Sequence, residues 1–168
     1  MQRVAVVGSG GAGKSTFART LGGVTGIPVI HLDENYWNPG WSETPRDEFA
    51  QILGALLAQE RWIVDGHYAH TFDLRFARAD TVIVLAPPRR VCIYRVLKRV
   101  VLNWHRDVQA PGCPEHLDLT FLRWLWNFPY TGRPALAAAL SRHADHLEVV
   151  YLTSSAATRR YLALLADH

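Results

Sequence analysis

The sequence predicts an α/β fold, a three-layer sandwich with one mostly parallel sheet between two layers of helices, and three observations carry that prediction. Short β-rich apolar runs recur at Val4–Val7, Pro28–Leu32, Trp62–Val64, Thr81–Leu85 and Leu147–Leu152. Longer stretches with amphipathic helical spacing lie between them. The first run leads without a break into a glycine-rich turn and then a helix. Strands that alternate with helices pair in parallel, and the crossover helices cover both faces of the sheet.

Taken in order, Val4–Val7 ends at Gly8-Ser9-Gly10-Gly11-Ala12-Gly13-Lys14-Ser15, where the chain must turn. Thr44-Pro45 followed by Asp47 and Glu48 reads as an N-cap, a first-turn proline and an acidic first turn. Phe49, Ile52, Leu53, Leu56 and Leu57 then form one apolar stripe. Residues 89–105 form a second helix, with Ile93, Leu97, Val100 and Trp104 on one face and Arg95, Arg99 and Arg106 on the other. Asp118 or Glu115 opens an aromatic-rich segment through Phe128, and Thr131 to Ala144 reads as a separate, alanine-rich helix. Ser154 or Ser155 caps the last helix, which ends near Leu165. Between about 105 and 134, Pro111, Gly112, Pro114, Pro129 and Pro134 punctuate the chain, and this excursion is expected to be a mobile lid on a single domain spanning 1–168.

Apolar residues make up 49% of the chain and charged ones 20%, close to globular averages, so one core is expected. Cys92 and Cys113 have neither CxxC spacing nor histidines at zinc spacing, which fits a reducing cytoplasm. The first apolar run is too short for a signal peptide and no long apolar run suggests a membrane span, so a cytoplasmic, unanchored protein is expected. Net charge is +3, but residues 89–106 concentrate Arg89, Arg90, Arg95, Lys98, Arg99 and Arg106 with no acid among them. Guanidinium forks pair bidentately with phosphate, so this stretch calls for an anion. Lysine occurs only at positions 14 and 98 and no other basic surface is evident, so direct nucleic-acid binding is not expected.

The octapeptide Gly8 to Ser15 satisfies GxxxxGK[ST] between a strand and a helix. In that context backbone N–H groups of Gly8, Ser9, Gly10, Gly11, Ala12 and Gly13 turn inward on phosphate oxygens, and the helix N-terminus adds its partial positive charge. All four glycines read as requirements of that wrapping. Lys14 would bridge the β- and γ-phosphates, Ser15 would offer its hydroxyl to Mg²⁺, and Thr16 follows beside them. ATP and Mg²⁺ are therefore the expected cofactors. Asp33 closes "VIHLD" and Asp65 closes "WIVD", both at strand carboxyl ends where α/β sheets gather ligands. Both are candidate metal ligands with Ser15.

On these residues the chain resembles the adenylate-kinase-like P-loop kinases, which include nucleoside monophosphate, shikimate and gluconate kinases. "VDG" at Val64–Gly66 is similar to the adenylate kinase segment whose aspartate holds Mg²⁺ through water. "RVLKR", Arg95 to Arg99, begins seven residues after Pro88 and resembles the arginine pair at that family's lid hinge. The resemblance implies that Arg95 stacks on adenine and Arg99 contacts phosphate, both serving catalysis. "HLDENYWNPGW", "IVDGHY", "ARADTVIVL" and "CPEHLDLTFLRWLWNFP" look like segments of the proteins labelled DNA topology modulation proteins, a likeness spanning nearly the whole chain. What it implies is a five-stranded sheet in the order 2-3-1-4-5, a helical lid, and ATP-dependent transfer to a small-molecule acceptor. Two other activities fit the same likeness: an ATP-binding regulator with slow ATPase activity that affects DNA topology, and a nucleoside monophosphate kinase. In such kinases the loop after the last strand meets the base, which brings in Thr153–Ala156; Ser154 and Ser155 would contact adenine, cap the helix, or both.

Asp33 bears on the acceptor, because a hydroxyl must lose a proton to attack phosphorus whereas a phosphate is already anionic. Shikimate and gluconate kinases carry an aspartate after the second strand, so the resemblance makes Asp33 a candidate base; holding a magnesium-bound water is its other reading. Trp37, with Tyr36 and Trp41, and then His67 and Tyr68 supply flat rings for a base or sugar, although Trp37 and Trp41 equally suit anchoring of their own loop. Arg75 and Arg78 are candidates to clamp an anionic acceptor, with ion pairs to Asp73 and Asp80 as the alternative, and Arg133, before Pro134 at a helix start, is the favoured closing charge of the lid over the acceptor, ahead of Arg106 and Arg123. Adenylate kinase follows its "DG" with a phenylalanine, a proline and an acceptor-gripping arginine; here His67-Tyr68-Ala69 stands instead.

Overall fold

Every residue from Val4 to Val7 is fully buried, as a strand covered on both faces requires. In the computed structural model, which describes residues 1–166, these residues lie in the central strand of the sheet. The strands are β1 (Arg3–Gly8), β2 (Val29–His31), β3 (Trp37–Asn38), β4 (Ser42–Glu43), β5 (Trp62–Asp65), β6 (Thr81–Leu85) and β7 (Glu148–Leu152). Five of them form one parallel sheet in the order β2-β5-β1-β6-β7, which is the expected 2-3-1-4-5 when only sheet strands are counted. β3 and β4 make a separate antiparallel hairpin, which the prolines and glycine of that stretch had suggested only as a loop.

Alternation along the strands sorts the core into two layers. Ala5, Val7, Trp62, Val64, Val82 and Val84 face one side, where they meet α2 (Leu32–Tyr36), α3 (Arg46–Leu56), α4 (Phe72–Phe76) and the carboxyl half of α6 (Leu119–Arg142). Val4, Val6, Ile63, Ile83 and Leu85 face the other, against α1 (Lys14–Thr25), α7 (Ser155–Ala166) and Cys92 of α5 (Arg89–Leu102). None of the helices among the described residues is long and apolar enough to cross a membrane. Cys92 and Cys113 are both free and buried.

Three expectations need correction. The segments ending at Phe128 and beginning at Thr131 are one helix, α6, which passes through Pro129 and Pro134. Leu125, Phe128, Gly132, Leu136, Ala139 and Leu140 are buried along it as one stripe, and that continuous packing outweighs the two backbone bonds the prolines cannot make. The excursion therefore shrinks to the connection between α5 and the Asp118 cap, whose carboxylate accepts from the N–H groups of Thr120 and Phe121 at 2.8 and 3.1 Å.

That connection is also fastened rather than loose. Gly40 N–H donates to the Gly112 carbonyl at 2.8 Å, Trp41 Nε1 to the Pro114 carbonyl at 3.0 Å, and Cys113 Sγ to the Asn38 carbonyl at 3.2 Å. It thus arches from α5 onto the β3–β4 hairpin and closes one side of a cleft. Finally, the buried face of α5 is Cys92, Val96 and Val100, while Leu97 and Trp104 are exposed. The helix is rotated from the expected register because Val96 and Val100 pack against Leu125 of α6.

Candidate functional site

The carboxyl ends of β1, β2 and β5 open into a cleft of about 1070 Å³. One end is backbone. Gly11 (φ +69°) and Gly13 (φ +94°) hold left-handed conformations in the turn after β1, and a Cβ on Gly11 would stand 2.3 Å from the Cys92 carbonyl oxygen. Gly13 is also the N-cap of α1, so the helix begins where the turn finishes. Phe121 and Leu125 of α6 form a roof directly over Gly10. Gly10, Gly11, Gly13, Lys14, Ser15 and Thr16 all line the cleft, while Gly8 and Ser9 line a small recess behind the turn beneath α6.

Lys14 folds back so that Nζ donates to the Ser9 carbonyl at 3.0 Å. Burial holds its ammonium below the usual lysine range, and the nearby charges of Asp33 and Asp65 work in the opposite direction. Asp65 is 3% exposed and takes two partners: Ser15 Oγ donates to Oδ2 at 2.6 Å, and His31 donates its Nδ1–H to Oδ1. The parallel register sets this up, since His31 of β2 lies directly across from Asp65 of β5. Hydrogen bonding to Asp65 raises the His31 pKa above its ordinary value. His31 was not singled out in the sequence, where nothing but the pairing of two distant strands marks it.

Two arginines of α5 reach the same end. Arg95 Nη1 donates to the carbonyls of Gly11 and Ala12 at 3.4 and 3.2 Å, and Nη2 donates to Ser155 Oγ at 2.9 Å. It thereby ties the glycine turn to the loop after β7. Ser154 caps α7, its Oγ accepting from Ala157 N–H at 3.1 Å, while Ser155 Oγ is the acceptor of Arg95. Arg99 Nε lies 2.9 Å from Glu115, which is 1% exposed within the arch. Its N–H is not aligned with that carboxylate and has no other hydrogen-bond acceptor, leaving an ion pair without a hydrogen bond. Glu115 was expected only as a possible helix start; directly after Pro114 it carries no sequence signal for burial.

The other end of the cleft is built from side chains. Asp33, in the first turn of α2, accepts from Tyr68 OH at 2.6 Å. Burial and the Asp33 carboxylate push the Tyr68 phenol far above its ordinary range, so it stays protonated and donates. Tyr68 has φ +29° and Trp41 has φ +61°, strained for residues with a Cβ, and both line this end. Trp37 packs edge-on to Tyr36 and Trp41, with ring centroids 5.0 and 5.4 Å apart. The wall and the loop anchor are thus the same rings.

Arg75 is not a clamp for ligands. It is completely buried outside the cleft lining, donating to the carbonyls of Gly66, His67 and Tyr68 at 2.8, 2.6 and 3.3 Å, with the Phe72 ring 5.2 Å away. Burial pulls its pKa down to about 9. Its work is to hold the strained turn that aims Tyr68 at Asp33. Arg133 is not at a helix start but midway along α6, exposed beside the recess behind the glycine turn, away from the acceptor end. Asp73 pairs with Arg142 at 2.9 Å rather than with Arg75 or Arg78. His67 contributes wall rather than polar contact: both ring nitrogens are buried without partners between Phe72, Phe128 and Trp124, and burial lowers its pKa to about 3.

This sheet order, with its glycine turn after the central strand, matches solved kinase structures over nearly the entire chain. A shikimate kinase from Acinetobacter baumannii in complex with shikimate superposes with a TM-score of 0.64 at 14% identity, covering 99% of this chain and 94% of that one. The chain has the P-loop kinase fold. A shikimate kinase from Aquifex aeolicus gives a TM-score of 0.57 at 15% identity, covering 98% and 96% of the respective chains. No protein-family model matches the sequence, and neither does any curated protein.

Proposed function

We propose that this protein is an ATP- and Mg²⁺-dependent phosphotransferase that moves the γ-phosphate of ATP to a hydroxyl of a small-molecule acceptor. The observation that carries this reading is Asp33. It stands in the same cleft as the P-loop, close enough to Lys14 and Asp65 to share their field, and is held by Tyr68 OH at 2.6 Å. A carboxylate facing the acceptor end can take the proton that a hydroxyl acceptor must lose, a need that an already anionic acceptor does not have; holding a magnesium-bound water is the other task open to it.

In this scheme the P-loop N–H groups and Lys14 bind the polyphosphate, Arg95 lies between the P-loop and the Ser155 loop where the base would sit, and Arg99 leaves Glu115 for phosphate. The acceptor oxygen bonds to the γ-phosphorus, the bond from that phosphorus to the bridging oxygen breaks, and ADP leaves with the electron pair. Asp33 takes the hydroxyl proton and passes it to water. Ser15 and Asp65, already 2.6 Å apart, are hard oxygen donors suited to Mg²⁺, with Asp33 as a further candidate. Bound there, the ion supplies charge neutralisation on the phosphates.

The nucleoside monophosphate kinase reading loses its acceptor clamp with the burial of Arg75. The test is ADP release from ATP and Mg²⁺ with a panel of hydroxyl compounds and with AMP, CMP, GMP and UMP, alongside calorimetry with a non-hydrolysable ATP analogue. Stimulation by hydroxyl compounds is expected; stimulation by nucleotides alone reassigns the acceptor, and absence of analogue binding removes the phosphate site. A gel shift with duplex DNA at low salt separates out the DNA topology reading, and no shift is expected.

A further inference from the structure

Resting on that reading, we infer that the acceptor is an uncharged or cationic hydroxyl compound, a polyol, sugar or amino sugar, and that carboxylate- and phosphate-bearing compounds are rejected. The cations of the cleft are committed to its phosphate end. Lys14 lies on the Ser9 carbonyl, Arg95 on the carbonyls of Gly11 and Ala12, and Arg99 faces Glu115. All three sit at or beside the P-loop, where they meet the charge of ATP.

Beyond Asp33 the lining turns acidic. Glu34 follows on α2 and Glu43 on β4, both exposed at the cleft's rim, the latter close enough to Tyr36 to raise its phenol, after the larger effect of burial. Among the described residues, Arg19 is the one lining guanidinium outside the phosphate group. It is exposed, and near His31 its charge is opposed by that of Glu34. Arg46, near Tyr36 and His70, lies outside the lining, and Arg75, also outside it, directs both Nη atoms at backbone carbonyls.

An anionic acceptor would approach the ATP polyphosphate past three carboxylates with no cation committed to it. A hydroxyl or ammonium group meets the opposite situation, because ionised carboxylates only accept hydrogen bonds and such groups donate them. Tyr36, Trp37 and Trp41 add ring surface that packs the apolar face of a sugar or attracts an ammonium ion.

The experiment measures kcat/KM for ADP release with acceptors paired by charge: glucose and glucosamine against glucuronate and gluconate; adenosine against AMP; methyl shikimate against shikimate. At least one neutral or amino member is expected to be a substrate, with its acidic counterpart lower by about tenfold or more. Replacing the carboxylates, Glu34→Gln with Glu43→Gln, should narrow that gap about threefold or more while leaving binding of the ATP analogue unchanged. A glucuronate, gluconate, shikimate or AMP preference overturns the inference. So does silence of every neutral and amino member while calorimetry still registers the analogue. If the analogue itself fails to bind, the phosphate-site reading falls first and the selectivity falls with it.

Discussion

The two ends of the cleft are built on different principles. The phosphate end is a contiguous stretch of backbone, Gly8 to Ser15, whose shape is fixed by glycine torsions and by the start of α1. The acceptor end gathers single side chains from α2, the β3–β4 hairpin and the turn after β5, and depends on a buried arginine to hold them. The first end should therefore be most sensitive to a single loss of charge at Lys14. The second is adjustable in its side chains and vulnerable in its support.

Lys14→Ala should break the phosphate end outright. It should lower turnover by about 10³-fold, the upper range for losing one preorganised electrostatic contact, with no change in the thermal melt. Retained turnover in ADP-release assays would remove Lys14 from the mechanism. Asp33→Asn tests the other side of the divide: a loss of about 10²-fold in kcat is expected with the ATP affinity unchanged by calorimetry. An equal fall in ATP affinity would place Asp33 with the metal instead.

Arg75→Met sharpens the contrast between support and contact. Three carbonyls lose their donor, so stability should fall by about 3 kcal/mol and the melting temperature by roughly 6–12 °C. The acceptor KM should rise only together with that fall in the melt, because the turn carrying Tyr68 loosens; a large KM rise with an unchanged melt would restore Arg75 as a clamp. The smallest effect concerns pH. Unfolded His67 titrates near 6.5 and folded His67 at about 3, so between those values the unfolded chain binds the extra proton. Its contribution to stability is present above pH 6.5 and lost as pH falls toward 3. Urea midpoints at pH 7.5 and 4.5 should therefore differ less in His67→Phe than in the parent chain.

The same division explains what the sequence disclosed. Strand positions were legible because apolar periodicity is local, the sheet order came only with the resemblance to P-loop kinases, and the glycine turn was legible because its residues are consecutive. Asp33 and Asp65 were singled out as strand ends; β5 does end at Asp65, whereas β2 stops at His31 and Asp33 lies in the first turn of α2. His31 was missed because only its register against Asp65 makes it a partner. Arg75 was misread because a guanidinium looks the same in sequence whether it faces phosphate or carbonyls. Pro129 and Pro134 suggested a break that the buried stripe of α6 overrides, and a propensity argument has no access to that packing.

Gly10 shows how a motif position can have a cause its motif does not mention. Unlike Gly11 and Gly13, it has no left-handed torsion demanding glycine, yet a methyl group there would press within 2.6 Å of the Phe121 ring tip. The constraint comes from above, from a helix more than a hundred positions later in the chain. A Gly10→Ala exchange would therefore act as a lever on helix 119–142, with the damage registered at a distance from the residue exchanged.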